Sequence, residues 1–179
     1  MKLRGRALKL GNNISTDHII PGRWFHLRSN LPELAKHLLE DIDPAFVSKV
    51  KPGDFIIAGK NFGLGSSREH AALIIKMAGV GAILAQSTAR IFFRNAINLG
   101  LPVLICDTSK IDEGDELEID LAKGTVRDIT NGTKLSLGKI PEVMLHILEE
   151  GGLVAYIRKY GSFNIGQEEY KREKEVHVL

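Results

Sequence analysis

The stretch Lys60-Asn61-Phe62-Gly63-Leu64-Gly65-Ser66-Ser67-Arg68-Glu69-His70-Ala71 places two hydroxyls, a guanidinium, a carboxylate and an imidazole behind a Gly-x-Gly turn. An apolar run precedes it and a helical spacing follows, so the paired serines stand where a helix begins. Free backbone N–H groups and the positive end of the helix dipole gather at such a point, which suits an anion. Arg68 falls in the first turn, where the dipole mildly disfavours a cation. Pairing of its planar fork with a carboxylate or phosphate accounts for it better. The glycines let backbone approach a ligand closely. A hydroxyl, an arginine and free amides converging on one point make an anion site with a proton carrier. The plainer alternative is structural: Ser66 with Glu69 three residues later fits a capping box, and the glycines then serve only the tight turn. The loop is not a P-loop, because no lysine precedes the serines, and the third glycine of a dinucleotide fingerprint would fall at Arg68. A small carboxylic acid fits this loop better than a nucleotide phosphate.

Such a site needs elements to hold it. Phe55-Ile56-Ile57-Ala58, after the turn Lys51-Pro52-Gly53-Asp54, reads as a buried strand. A helix is expected from about Ser67 to Ala78, a second buried strand over 80–85, a helix over 88–98 ended by Gly100, and a third strand over 101–106. This alternation favours a parallel sheet with right-handed crossovers. An opening strand over 2–10 stops at the turn Gly11-Asn12-Asn13. Leu31, Leu34, Ala35, Leu38 and Leu39 predict a helix over 30–39, and Asp43-Pro44 the start of a short one. After Asp107 the pattern changes to short strands over 116–121, 125–129 and 134–137, with the hairpin signal Asn131-Gly132. Residues 141–149 read as a helix and 153–157 as a closing strand. The prediction is one α/β domain over residues 1–160: a mostly parallel sheet flanked by helices, with a small β-rich part near 115–137. A charged C-terminal tail, 161–179, follows and reads as a frayed helix, a disordered end or an oligomer contact.

Composition narrows the function. The chain has 179 residues, 44% hydrophobic and 26% charged, the make-up of an ordinary soluble globular protein. Lysine and arginine number 24 against 22 acids, and a net charge of +2 gives no support to nucleic-acid binding through bulk charge. The single cysteine, Cys106, makes no internal disulfide and cannot alone hold zinc or an iron–sulfur cluster, so a reducing, cytoplasmic compartment is expected. Met1-Lys2-Leu3-Arg4 lacks the apolar core of a signal peptide, and the longest apolar stretches are too short to cross a bilayer.

The loop N-F-G-x-G-S-S-R-E-H-A resembles the signature of the swivelling domain of the aconitase superfamily. As a separate chain of this length, the sequence is similar to the small subunits of 3-isopropylmalate dehydratase and its relative homoaconitase. The opening Gly11-Asn12-Asn13-Ile14-Ser15-Thr16-Asp17-His18-Ile19-Ile20-Pro21 resembles that family's first loop, and Ala89-Arg90-Ile91-Phe92-Phe93-Arg94-Asn95 follows in family order. The resemblance spans roughly residues 3–157 and implies the swivelling β/β/α fold. It also implies a hydro-lyase that moves a hydroxyl between adjacent carbons of a dicarboxylate through an alkene, in leucine biosynthesis or, by the homoaconitate route, lysine biosynthesis.

Roles carry over residue by residue. Ser66 takes the position of the base that removes a proton from the substrate carbon. Ser67 and Arg68 take those that hold the substrate carboxylate. Asp17 takes that of a residue orienting a proton-relay partner across the subunit interface; its alternative is a turn aspartate. His18 departs from the family's usual small residue and receives no role, and His70 is expected to pack and hydrogen-bond rather than ligate. Within Gly22-Arg23-Trp24-Phe25-His26-Leu27-Arg28-Ser29, where the family selects substrates, Arg28 is the candidate contact for a third carboxylate, its alternative being a solvated loop charge. The reaction requires a [4Fe–4S] cluster, which needs three cysteines. No metal site is expected in this chain, and the cluster is expected on a large-subunit partner. A homo-oligomer of the isolated chain stays open. The competing class is a non-enzymatic carboxylate- or phosphate-binding module using the same helix-end site.

Overall fold

Lys2–Lys9 (β1) is the strand on which the sheet changes character: it runs parallel to Phe55–Ala58 (β2) on one side and antiparallel to Glu116–Asp120 (β5) on the other. A computed structural model describes residues 1–161, so the tail over 161–179 lies, apart from Gly161, outside the described residues. Beyond β2 come Ala82–Ala85 (β3) and Val103–Ile105 (β4); beyond β5 come Thr125–Asp128 (β6) and Lys134–Ser136 (β7). The sheet order is β4-β3-β2-β1-β5-β6-β7, with parallel pairing from β1 to β4 and antiparallel pairing from β1 to β7. The β-rich part expected near 115–137 thus continues the same sheet through β1.

The two halves look different in sequence because they are buried differently. β2 and β3 are buried at every residue, as parallel strands covered on both faces must be. β5 and β6 alternate exposed and buried positions, with one face in water. Steps from β1 to β4 all move one strand in one direction, so their crossovers lie on one face. Those connections hold the short helices Thr16–Ile19 (α1), Leu31–Ala35 (α2) and Phe46–Lys49 (α3), then Glu69–Met77 (α4) and Arg90–Asn98 (α5). One core joins Leu8, Ile56, Ile83 and Val103 to Ala71, Ile74, Ile75 and Phe92 from these helices. The strand neighbours pointing the other way, Ala7, Phe55, Ile57, Leu84 and Leu104, meet Leu117, Ile119, Val126, Ile147, Leu148 and Tyr156 in a second core. Glu142–Glu149 (α6) and Leu153–Tyr160 (α7) cover that side.

Three expectations change. The helix over 30–39 is helical only at Leu31–Ala35. Leu39 turns to a φ of +58° and donates its N–H to the Ile19 carbonyl, which plugs Leu38 and Leu39 into the first core. The strand over 153–157 is helix α7: Leu153, Tyr156, Ile157 and Tyr160 hold the i, i+3, i+4, i+7 spacing, which five residues are too few to reveal. Residues Gly22–Ser29, read as a loop, wind into a 3-10 helix.

Candidate active site

The carboxyl ends of β1, β2 and β3 open at one edge of the sheet, where open α/β folds bind ligands. Their loops continue the pairing of the strands. Asn13 N–H donates to the Lys60 carbonyl at 2.7 Å, Gly63 N–H to Ile14 at 2.7 Å and Thr16 N–H to Leu64 at 2.8 Å. Side chains reinforce this, with Lys60 N–H donating to Asn12 Oδ1 at 2.7 Å and Asn61 Nδ2 to Asn13 Oδ1 at 2.8 Å. On the far side Ala89 N–H donates to the Phe62 carbonyl at 2.9 Å, as does Thr88 Oγ1 at 3.0 Å. Gly63 has a φ of +73°, and a Cβ there would lie 2.3 Å from Phe92 Cγ, so only glycine fits. A cavity of about 350 Å³ beside the loops is lined by Asn13, Asn61, Leu64, Thr88 and Ala89.

The helix behind the loop starts later than its sequence suggests. Arg68 is the N-cap, with extended backbone and no side-chain cap, and α4 begins at Glu69. The capping box that was the structural alternative for Ser66 and Glu69 does not form; Ser66 and Ser67 lie in the loop, exposed. A capping box does form earlier in the chain, at Ser15 and His18 on the facing loop. Ser15 Oγ accepts from His18 N–H at 3.1 Å, and His18 Nδ1 accepts from Ser15 N–H at 3.1 Å. His18, for which the sequence offered no role, therefore closes the N-terminus of α1. The three-residue spacing from Ser15 was the available signal, masked because histidine stands where glutamate usually does.

Around Arg68 the expected site residues assemble. Its Nη2 lies 2.6 Å from Asp17 Oδ1, its Nη1 donates to the Ile20 carbonyl at 3.1 Å, and its side chain is only 21% exposed. The guanidinium carbon sits 5.0 Å from the centre of the Phe25 ring. Arg28 approaches the same ring at 5.3 Å, and the His70 ring meets it edge-on at 6.2 Å. Phe25 is thus a shared aromatic platform, favourable for both cations. His70 packs there, as expected. Ser66 Oγ lies 3.3 Å from Thr16 Oγ1, while the Ser67 side chain projects to solvent. Arg68 is therefore joined to Asp17 directly and to Arg28 through the Phe25 ring, while Ser66 is tied to the same first loop through Thr16, with Ser67 at the margin. Thr16 and Phe25 are the contributors that sequence reasoning passed over. Phe25 gave no polar signal, and Thr16 stood beside the more conspicuous Asp17.

Chemically, this edge carries an exposed hydroxyl on Ser66 and, two residues on, a guanidinium held by a carboxylate, a carbonyl and an aromatic face. A guanidinium fork is the residue type that pairs with a carboxylate, and a hydroxyl is one that can exchange a proton. Among the described residues, no three His, Cys, Asp or Glu side chains gather to hold a metal ion. Cys106 is buried, and its thiol is pushed up to about 12 by that burial and, secondarily, by the Asp107 charge, so it is a packing residue rather than a ligand or nucleophile.

Residues 12–107 match the family model of the aconitase C-terminal domain. The chain is 65% identical over 165 residues to a 3-isopropylmalate dehydratase small subunit 2 of Archaeoglobus fulgidus, covering 92% of this chain and 100% of that one. It is 60% identical over 162 residues to a 3-isopropylmalate dehydratase small subunit 1 of Thermotoga maritima, covering 90% and 98%. The crystal structure of a 3-isopropylmalate dehydratase chain from Methanocaldococcus jannaschii superposes with a TM-score of 0.84 at 41% identity, over 97% of this chain and 99% of that one.

Proposed function

The chain belongs to the aconitase C-terminal domain family, and from that premise we propose that it is the small subunit of a 3-isopropylmalate dehydratase, active together with a large subunit. The complex interconverts 2-isopropylmalate and 3-isopropylmalate by dehydration and rehydration, a cytoplasmic step of leucine biosynthesis. The carrying observation is an exposed Ser66 tied through Thr16 to the loop whose Asp17 fixes Arg68 at 2.6 Å.

In this reading Ser66 removes the proton from the substrate carbon. The electron pair of that C–H bond becomes the alkene as hydroxide leaves the neighbouring carbon, and rehydration reverses the step at the other carbon. Arg68 and Ser67 hold a substrate carboxylate, and Asp17 keeps the Arg68 fork aimed. The [4Fe–4S] cluster, whose Lewis acidity assists hydroxide departure, belongs to the large subunit, since a single buried cysteine cannot supply three thiolates. The open face of Ser66, Ser67 and Asp17 supports a site completed by another polypeptide.

A second reading is a homoaconitase-type small subunit. Arg28 favours it, because its guanidinium shares the Phe25 ring with Arg68 and could take a third carboxylate. Arg28 is exposed, as its alternative reading of a solvated loop charge expects, so only its closure under a partner beside an isopropyl group would make it unpaired and costly.

The test is reconstitution with the large subunit and turnover of both isopropylmalate and homoaconitate. Ser66→Ala is expected to lose about 10³-fold or more in kcat while the fold is retained, at a stability cost of no more than about 1–3 kcal/mol from the Thr16 hydroxyl losing its acceptor. Retention of turnover by that variant would remove the serine from the mechanism and leave the binding-module class standing. Faster turnover of homoaconitate selects the second reading.

A further inference from the structure

Thr16 is 2% exposed, and the partner its hydroxyl finds among the described residues is Ser66 Oγ, at 3.3 Å. A buried hydroxyl must place its hydrogen on an acceptor or lose the bond it made in water. Ser66 is exposed, so its own hydrogen is free to point elsewhere. The asymmetry of burial therefore sets the direction: Thr16 donates and Ser66 accepts.

The donor is also held in place. Thr16 N–H is bonded to the Leu64 carbonyl at 2.8 Å, and the Thr16 carbonyl accepts from Ile20 N–H at 2.9 Å. The side chain nestles against Gly65, where an added Cβ would come within 3.1 Å of the threonine hydroxyl and where φ is +105°. Two segments fifty residues apart in the chain are thereby fixed to each other at the atom where charge would develop.

We propose that Thr16 is a positioning residue for the base, its buried hydroxyl donating to Ser66 Oγ and stabilising that oxygen when it carries negative charge. This rests on the reading of Ser66 as the base. A hydroxyl is a poor base in water, and a fixed donor strengthens its bond as the acceptor ionises, without reorganisation. The same donor leaves the Ser66 lone pairs on the open side directed at the substrate.

The assembled two-subunit enzyme decides it, with Thr16→Val, Thr16→Ser and Ser66→Ala measured side by side. Thr16→Val keeps the shape and deletes the hydroxyl. It is expected to lower kcat by about 10²-fold with KM within twofold, and to move the rise of kcat with pH toward higher pH, because Ser66 then loses its proton less readily. Thr16→Ser keeps the hydroxyl in a smaller side chain and should restore both the rate and the pH profile. If valine prevents assembly, Thr16→Ala deletes the same hydroxyl and carries the same expectation. A hydroxyl-free variant with wild-type rate and pH profile overturns the assignment, as does a serine variant impaired as much as valine, which would make the methyl group the important part. Ser66→Ala separates the two levels: if it stays active the base reading falls, whereas if it is inactive and Thr16→Val is normal, only the role of Thr16 falls.

Discussion

Two arginine–aspartate pairs sit at opposite ends of the parallel strands, and their surroundings differ. At the amino end of β2, Asp54 is 6% exposed on its side chain and accepts from Arg6 Nη2 at 2.8 Å and from Lys51 N–H at 3.0 Å. Arg6 Nη2 also reaches the Lys49 carbonyl at 2.7 Å, while Arg6 Nε is buried with no partner among the described residues. At the carboxyl edge, Asp17 is 61% exposed and holds Arg68 at 2.6 Å. The chemistry is the same, but the solvent is not. The first pair is woven into a turn and cannot lose a member without stranding the other; the second adds little to folding and leaves a charged fork at the site. Backbone spacing follows the same division. At the amino end Gly5, Gly53 and Gly81 crowd together, a Cβ on Gly5 falling 2.1 Å from the Gly53 carbonyl oxygen, whereas the carboxyl edge opens beside a cavity of about 350 Å³.

The sharpest way to break the comparison is to remove the charge from each aspartate in turn. Asp54→Asn is expected to cost about 2–3 kcal/mol in urea unfolding, less than a fully buried pair would because Arg6 is 36% exposed, with turnover per folded molecule unchanged. Asp17→Asn should shift stability by less than about 1 kcal/mol yet raise KM roughly tenfold as the Arg68 fork loosens. Equal stability costs, or a kinetic effect only from Asp54→Asn, would show that burial does not divide the pairs as described.

A third carboxylate sharpens the contrast. Arg23 and then His37 hydrogen-bond to Glu40 and hold its carboxyl down at about 2, from an ordinary 4.5. Because the folded value is depressed, the stabilisation is complete above pH 4.5 and disappears as pH falls through 2. Glu40→Gln should therefore differ from wild type by a constant amount at neutral pH, and by progressively less between pH 4.5 and 2 in acid-unfolding curves. This is the smallest effect, since the pair is open to solvent; a gap that widens toward acid would contradict the geometry around Arg23.

Much of this was legible along the chain. Phe55–Ala58 and Ala82–Ala85 announced themselves as strands covered on both faces, and Asn131-Gly132 as the turn between two antiparallel strands. The loop holding Ser66 and Arg68 stood out by residue type. What was misread lay where local signals were short or ambiguous. Five residues from Leu153 could not separate a strand from a helix, and a serine–glutamate spacing suggested a cap on a helix that begins two residues later than that cap implies, at Glu69.

Residue types and periodicities are properties of neighbouring positions, so they were enough to determine which strands would be buried and which loop would place a hydroxyl and a guanidinium at the sheet's carboxyl edge. Which other side chains meet that loop was decided only by folding. Asp17 and Thr16 reach it, and the Phe25 ring comes under both arginines, because β1 and β2 lie side by side in parallel and bring their carboxyl ends together. Contacts of that kind depend on chain segments meeting in space, and no pattern read along a single strand or helix contains them.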